Sequence, residues 1–326
     1  MTRRTLLTGS AAALVAAALP IPPTPATDRF GARDARVHDP STIVPCGNNF
    51  WLFATGNGIA SWRSSDLNHW ERGPRVFAEP PAWTTTAVPG FTDHFWAPDV
   101  IRVKDQYLLF YSVSTWGKTT SAIGLATTPT LDSVDPKFHW TDRGMVIQTG
   151  AHDDYNAIDP SVFLDTDGRL WLAFGSFWSG IKLIALDAAT GKRSASDTRV
   201  YALAHSDSIE AACLFRQGSH YFLCVNWGQC CKGINSTYNI RIGRSDKVTG
   251  PYRDKQGVDL LHGGGSLLLG SDGTFIGPGH AGILREGDST WLSCHFYDGA
   301  QDGRPTLALR KLHEDADGWP TVVGGQ

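Results

Sequence analysis

Charge and methionine are both scarce in this chain of 326 residues: Asp, Glu, Lys and Arg together make up 19%, and there are two Met. The net charge is −3 and no stretch forms a basic stripe, which argues against a nucleic-acid partner. No Gly-x-Gly-x-x-Gly follows a strand pattern and opens a helix, so a nucleotide enzyme has no support. The six cysteines, at 46, 213, 224, 230, 231 and 294, form no Cys-x-x-Cys pair and no zinc spacing. Helical periodicity is weak throughout, which rules out long helices and coiled coils. Beyond the N-terminus no apolar run is long enough to span the ~30 Å of a bilayer.

What is present is a core and many turns. Hydrophobic residues make up 41%, which excludes disorder. Thirty-five Gly with 12 Trp, 8 Tyr and 15 Phe suit an all-β protein that offers aromatic surfaces to a sugar or another flat-faced ligand. The length suits one large domain or two ordinary ones. Residues 1–26 read as a leader: Arg3-Arg4 precede Leu6-Leu7, an Ala/Leu-rich stretch runs from Ala11 to Leu19, and a Pro-rich segment ends near Ala26. That order describes a cleaved secretory signal, of the twin-arginine type by its paired arginines. The mature protein is therefore expected to be secreted, with no membrane attachment after cleavage. Cys213, Cys224 and Cys294 stand in apolar runs and are expected as buried thiols. Cys230-Cys231 lies in a Gly-rich loop, and its disulfide state is left open.

Five aromatic-rich apolar runs recur about 50 to 70 residues apart: Trp51–Thr55, Tyr107–Tyr111, Leu170–Phe174, Tyr221–Val225 and Trp291–His295. Turn residues precede each run, which makes it the second arm of a hairpin. A third strand and a polar turn follow, as in Ser64–Trp70, Thr127–Trp140 and Ser245–Tyr252. Strand, turn, strand, turn, strand at that period is a propeller blade. The expected fold is a single five-bladed β-propeller over residues 27–326, with its active site at one end of the central channel.

The first strands open with Asp39-Pro40, Asp159-Pro160, Glu210-Ala211 and His280-Ala281, each 11 or 12 residues before the next aromatic run. In the second blade, aligning Pro98 places Ala97 at that position. Asp99 then falls two residues along and is expected to be buried and hydrogen-bonded rather than catalytic. Innermost strands line the axis, so Asp39, Asp159, Glu210 and His280 should converge at one mouth. Lone aspartates at strand starts are usually structural. Three carboxylates in register can instead divide acid and base work, one held neutral and another ionised. Glycoside hydrolysis needs that division, and carboxyls about 6.5–9.5 Å apart would leave room for the water of an inverting mechanism.

The runs His38–Ser41, Trp96–Asp99, Ser114–Gly117, Asn156–Pro160, Gly175–Gly180, Ser208–Ala211 and Gly277–His280, in this order, resemble glycoside hydrolase family 43. Within it they resemble the secreted endo-1,5-α-L-arabinanases, as do Cys230–Gly233, Ser236–Tyr238 and Gly243–Ser245. The resemblance covers essentially the whole mature chain. It implies Asp39 as general base, Glu210 as general acid, and Asp159 as the residue that orients Glu210 and raises its pKa. It further implies inversion, an arabinan or arabino-oligosaccharide substrate, and a channel metal at His280, commonly calcium and mostly water-ligated; no organic cofactor is expected. Ala281 departs from the family pattern, where Asn or Cys is common. Trp96, Gly117, Asn156, Ala157, Ile158, Ser176, Phe177 and Trp178, together with Asp39 and Asp159, match positions that line the family's subsites. Trp116 joins the aromatics of the mouth, whereas Trp51, Trp171 and Trp291 are expected to pack between blades.

The family's triad is shared with exo-acting arabinofuranosidases and β-xylosidases, which remain an alternative. The chain carries no β-sandwich after the propeller, unlike many xylosidase-type relatives, which favours the arabinanase. A non-catalytic carbohydrate-binding propeller is the alternative from another class; three intact carboxylates argue against it. The enzyme is expected to act as a monomer.

Overall fold

The computed structural model describes residues 35–322, and the expected leader at 1–26 lies outside them. Five antiparallel sheets follow one another along the chain. Blade one comprises Val44–Cys46, Asn49–Ala54, Ala60–Ser64 and Glu71–Arg72. Blade two comprises His94–Val103, Gln106–Val113, Ser121–Thr128 and Thr141–Thr149, with Gly56–Asn57 added to its inner edge. Blade three runs through Ser161–Leu164, Leu170–Phe174, Ile181–Leu186 and Tyr201–Ala204. Blade four has Ile209–Gln217, His220–Trp227, Asn239–Ser245 and Ser266–Leu269; blade five has Phe275–Glu286, Ser289–Asp298, Arg304–Glu314 and Pro320–Val322. All five aromatic runs are second strands, as expected. Each blade has a fourth, outer strand that the sequence reading did not include. The single α-helix among the described residues is Trp83–Ala87, and no helix is long and apolar enough to cross a membrane.

The second strands read as unbroken apolar runs because both of their faces are buried. In blade two, Tyr107, Leu109 and Tyr111 face the core shared with blade one, while Leu108 and Phe110 face the core shared with blade three. Blade three alternates likewise, with Leu170, Leu172 and Phe174 toward blade two and Trp171 and Ala173 toward blade four. Five such cores fill the five interfaces. Trp51, Trp171 and Trp291 belong to three of them. Burying such side chains stabilises by about 1.5–3 kcal/mol each, so interblade packing carries the ring.

The ring closes where blade five meets blade one. Ala35, Val37 and Ile43 share a core with Leu284, Trp291 and Leu307, and Leu307 N donates to Ala35 O at 3.1 Å. Gly282 allows the closest approach: a Cβ there would lie 3.0 Å from Thr42 Cα and 2.8 Å from Ser293 Oγ.

One backbone feature recurs in all five blades. Asp39, Ala97, Asp159, Ala211 and His280 adopt left-handed conformations, with φ of 49°, 42°, 57°, 54° and 61°. Such residues cost about 1–2 kcal/mol each when not Gly. Because Ala97 and Ala211 share the conformation, it belongs to the propeller repeat and is exploited by the site rather than created for it. In blades two and four the pairing register shifts around this residue, which re-aims nearby side chains. The equivalence also corrects the expected register. The blade-four counterpart of Asp39 is Ala211, so Glu210 stands one residue earlier, level with His38.

A second repeat holds the first in place. In four of the five blades a side chain at the end of the second strand accepts the N–H of the next blade's left-handed residue. Thr55 Oγ1 receives Ala97 N (2.9 Å), Ser112 Oγ receives Asp159 N (3.0 Å), and Asn226 Oδ1 receives His280 N (2.9 Å). His295 Nδ1 receives Asp39 N (3.1 Å) across the ring closure. In blade three the equivalent residue is Gly175, which has no side chain, and Asp159 Oδ2 receives Ala211 N instead (3.3 Å). Deeper in the channel, buried Asp99 joins three blades, accepting Thr42 N (2.9 Å) and Val162 N (2.8 Å). Burial pushes this carboxyl up to about 6 against those hydrogen bonds. Cys213, Cys224 and Cys294 are buried thiols, as expected.

Candidate active site

Asp39 faces three imidazoles. His38 Nδ1 lies 2.8 Å from its Oδ2, which also accepts Thr55 Oγ1 at 2.6 Å. His280 Nδ1 and His295 Nδ1 lie 3.7 and 3.8 Å from its Oδ1. Burial works to raise the Asp39 carboxyl. The charge and hydrogen bond of His38, with His280 and His295, outweigh burial and hold the group well below the usual carboxylate range. Burial opposes charge on His38 too, yet Asp39 raises that imidazole above its ordinary value. Asp39 is thus ionised and paired at neutral pH.

Glu210 has the opposite surroundings. Burial raises its carboxyl, and the charge of Asp39 adds to the rise. Tyr238 donates to its Oε1, and Ser176 Oγ donates to its Oε2 at 2.7 Å, which moderates the shift. Asp159 is raised well above the ordinary carboxylate value, by burial first and then by the charges of Glu210 and Asp39. Its bond to Ala211 N ties it to the strand that carries Glu210. One mouth of the channel therefore holds a carboxylate whose surroundings favour its ionised form and two carboxyls whose surroundings favour the protonated form. That is the charge division acid–base chemistry requires.

The surrounding residues fall into two groups. Trp96 and Trp116 meet edge to face, with centroids 6.3 Å apart, and Trp116 is 76% exposed. Phe177 and Trp178 form a tight turn, both left-handed (φ 53° and 42°), with Phe177 N donating to Ile209 O beside Glu210. Gly117, in an exposed turn at φ 71°, has open space around its Cα. Ala157 and Ile158 are buried, and Ala157 lies in the core between blades two and three. Asn156 is buried, and its Oδ1 has no hydrogen-bond partner among the described residues.

A family model for glycosyl hydrolases family 43 matches residues 34–320. The chain belongs to family 43. It is 39% identical, over 96% of both chains, to an extracellular endo-α-(1→5)-L-arabinanase of Bacillus subtilis. It is 38% identical, over 90% of this chain and 88% of the relative, to an extracellular exo-α-(1→5)-L-arabinofuranosidase of Cellvibrio japonicus. Among solved structures it resembles the Cellvibrio cellulosa α-L-arabinanase complexed with arabinohexaose, with a TM-score of 0.85 and 38% identity over 89% of this chain and 96% of that one. This family 43 member is thus a glycoside hydrolase with the five-bladed architecture.

A cluster of possible cation ligands also lines the channel. The donor atoms of His38, Asp39 and His295 lie within 4.8 Å of one another, but they are engaged with one another. His38 bonds Asp39 through Nδ1 and Tyr297 Oη through Nε2 (2.8 Å). His295 accepts Asp39 N on Nδ1, so its proton is on Nε2, which cannot ligate a cation in that tautomer. His280 remains. Burial lowers its pKa and keeps it neutral, and its ring makes no hydrogen bond among the described residues. It lines a narrow axial gap with Thr42, Asp99 and Ser161. A hard cation here would draw its ligands chiefly from oxygen, water included, with the His280 imidazole as a single nitrogen donor.

Tyr238, His38, His295 and Tyr297 carry much of this geometry but had no assigned role from sequence. Tyr238 lies just past the loop around Cys230, which no other blade repeats, so periodicity could not point to it.

Proposed function

We propose that this enzyme hydrolyses α-1,5-linked L-arabinofuranosyl backbones from within the chain, with inversion. The observation that carries the reading is the contrast in surroundings at one channel mouth: three imidazoles face Asp39 and favour its ionised form, while Glu210 is buried among the hydroxyls of Tyr238 and Ser176 with its carboxyl raised. Asp39 takes a proton from a water whose oxygen attacks C1 of the arabinofuranose. Glu210 gives its proton to the O5 of the departing arabinose as the C1–O5 bond breaks. Asp159 holds the Glu210 strand and keeps Glu210 protonated through their shared like-charge cost. Trp96, Trp116, Phe177 and Trp178 offer ring faces to furanose C–H surfaces, and Asn156 Oδ1 waits for a hydroxyl donor. His280 is read as the ligand of a calcium ion otherwise held by water; bound there, it would add positive charge beneath the carboxylates. Export goes with this reading, supported by the leader-like N-terminus and by relatives named as extracellular. A monomer is sufficient for it.

Product analysis on linear 1,5-α-L-arabinan tests the reading, with Glu210→Ala as control. A ladder of oligosaccharides early in the digest, first released as the β-anomer and lost in the variant, is the expected result. Arabinose alone from the start would replace it with the exo activity named for the Cellvibrio relative.

A further inference from the structure

Cys230 and Cys231 are bonded to each other as a disulfide between chain neighbours. Nothing in the acid–base chemistry or the aromatic rim uses it. Cys231 is exposed and left-handed, with φ 63°. Its N–H donates to Tyr297 Oη at 2.7 Å, and the same oxygen lies 2.8 Å from His38 Nε2. Cys231 Sγ is 3.8 Å from that nitrogen, and the other nitrogen of the ring bonds Asp39 at 2.8 Å. An S–S bond between half-buried Cys230 and exposed Cys231 is thereby linked to a carboxylate of the channel mouth through a backbone amide, a phenol and an imidazole.

We propose that the Cys230–Cys231 disulfide is a positioning element for the base, holding Asp39 in orientation through Tyr297 and His38. A bond between adjacent residues closes a small ring and removes most of the backbone freedom of that turn. Cys231 is then kept in a conformation that side chains otherwise avoid, and its N–H stays aimed at Tyr297. With its oxygen accepting that N–H, Tyr297 retains its own proton for neutral His38 and a lone pair for protonated His38. The imidazole is held in either state. Stacking on His295, with centroids 4.3 Å apart, fixes the plane of the His38 ring. Opening the disulfide frees the Cys231 amide and lets the line slacken at its far end, without touching substrate-binding aromatics.

Built on the reading of Asp39 as base, the relay is tested on the whole enzyme with a phosphine reductant. Phosphorus supplies two electrons and leaves as its oxide with oxygen from water, and the S–S bond becomes two thiols. The remaining cysteines are already thiols, so this bond alone responds. On linear arabinan, kcat is expected to fall about tenfold, the equivalent of one well-placed hydrogen bond, with KM changed less than about twofold. Reoxidation restores the rate. Tyr297→Phe, which severs the line, starts with a lowered kcat and loses little more on reduction. A Cys230→Ser, Cys231→Ser double variant matches the reduced enzyme. Mass spectrometry showing two added hydrogens with unchanged kcat would overturn the proposal, as would an equal loss on reduction in Tyr297→Phe and wild type. Activity that survives Asp39→Ala would remove the base assignment itself, a distinct failure that takes the relay with it.

Discussion

Replacing Tyr238 by Phe isolates the control of the acid. Tyr238 is buried, and its hydroxyl donates to Glu210 Oε1. Burial and the nearby carboxylates hold its own pKa well above the ordinary phenol value, so it stays a donor across the working range. Phe keeps the ring and leaves no cavity. A hydrogen bond to a charged group contributes about 1.5–3 kcal/mol, and 1.36 kcal/mol corresponds to about one pKa unit. The bond favours the ionised form, so losing it raises the Glu210 carboxyl by about 1–2 units. The acid then keeps its proton to higher pH. In the pH profile of kcat/KM on arabinan, the basic limb should move upward by that amount, while the acidic limb set by Asp39 stays in place. The limb belongs to the Glu210–Asp159 pair, so part of the shift is shared. A basic limb that stays put or moves downward would refute Tyr238 as the group that holds the acid.

Three further outcomes are expected. Asp99 is raised to about 6 in the folded state, so its contribution is most favourable when protonated and is lost as pH rises through about 4 to 6. The stability of wild type relative to Asp99→Asn should therefore improve by about 3 kcal/mol as pH falls from 7 to 3; denaturant melts at several pH values will show whether it does. Gly282→Ala crowds Thr42 and Ser293 at the ring closure and should cost about 1–3 kcal/mol by overpacking; an unchanged denaturant midpoint would contradict the tight closure. Chelator should lower the melting temperature and calcium restore it, a hundredfold excess over Kd contributing about 2.7 kcal/mol. His280→Ala should abolish that response, and a response that persists in the variant would place the ion elsewhere.

The extent to which this fold can be read from sequence follows from burial. Second strands such as Tyr107–Tyr111 are apolar on both faces and stand out without alignment. Outer strands such as Glu71–Arg72 are short and exposed, and carry no period to find. In the site, Asp-Pro pairs point to Asp39 and Asp159 because they mark the left-handed position of the repeat. Blade four has Ala211-Ala212 there, so Glu210 shares the mouth with the aspartates but stands one residue out of the register that strand alignment gives it. His38 and Tyr297 escaped because their importance lies in contacts across 259 positions of chain. Those contacts involve a loop that occurs once.

The anchoring of Asp39 by His295 has a consequence for the life of the molecule. With Asp39 read as the base, its backbone N–H is held by a residue 256 positions away in the last blade, so its setting is complete only when both ends of the chain have met. A nascent chain that has finished only its first four blades already contains Asp159 and Glu210 in neighbouring blades, and His38 and Thr55 beside Asp39, yet lacks the last anchor of that group. A chain clipped before the last blade is in the same position. Hydrolytic competence arrives with the final step of assembly, and activity serves as the molecule's own report that the circle is complete.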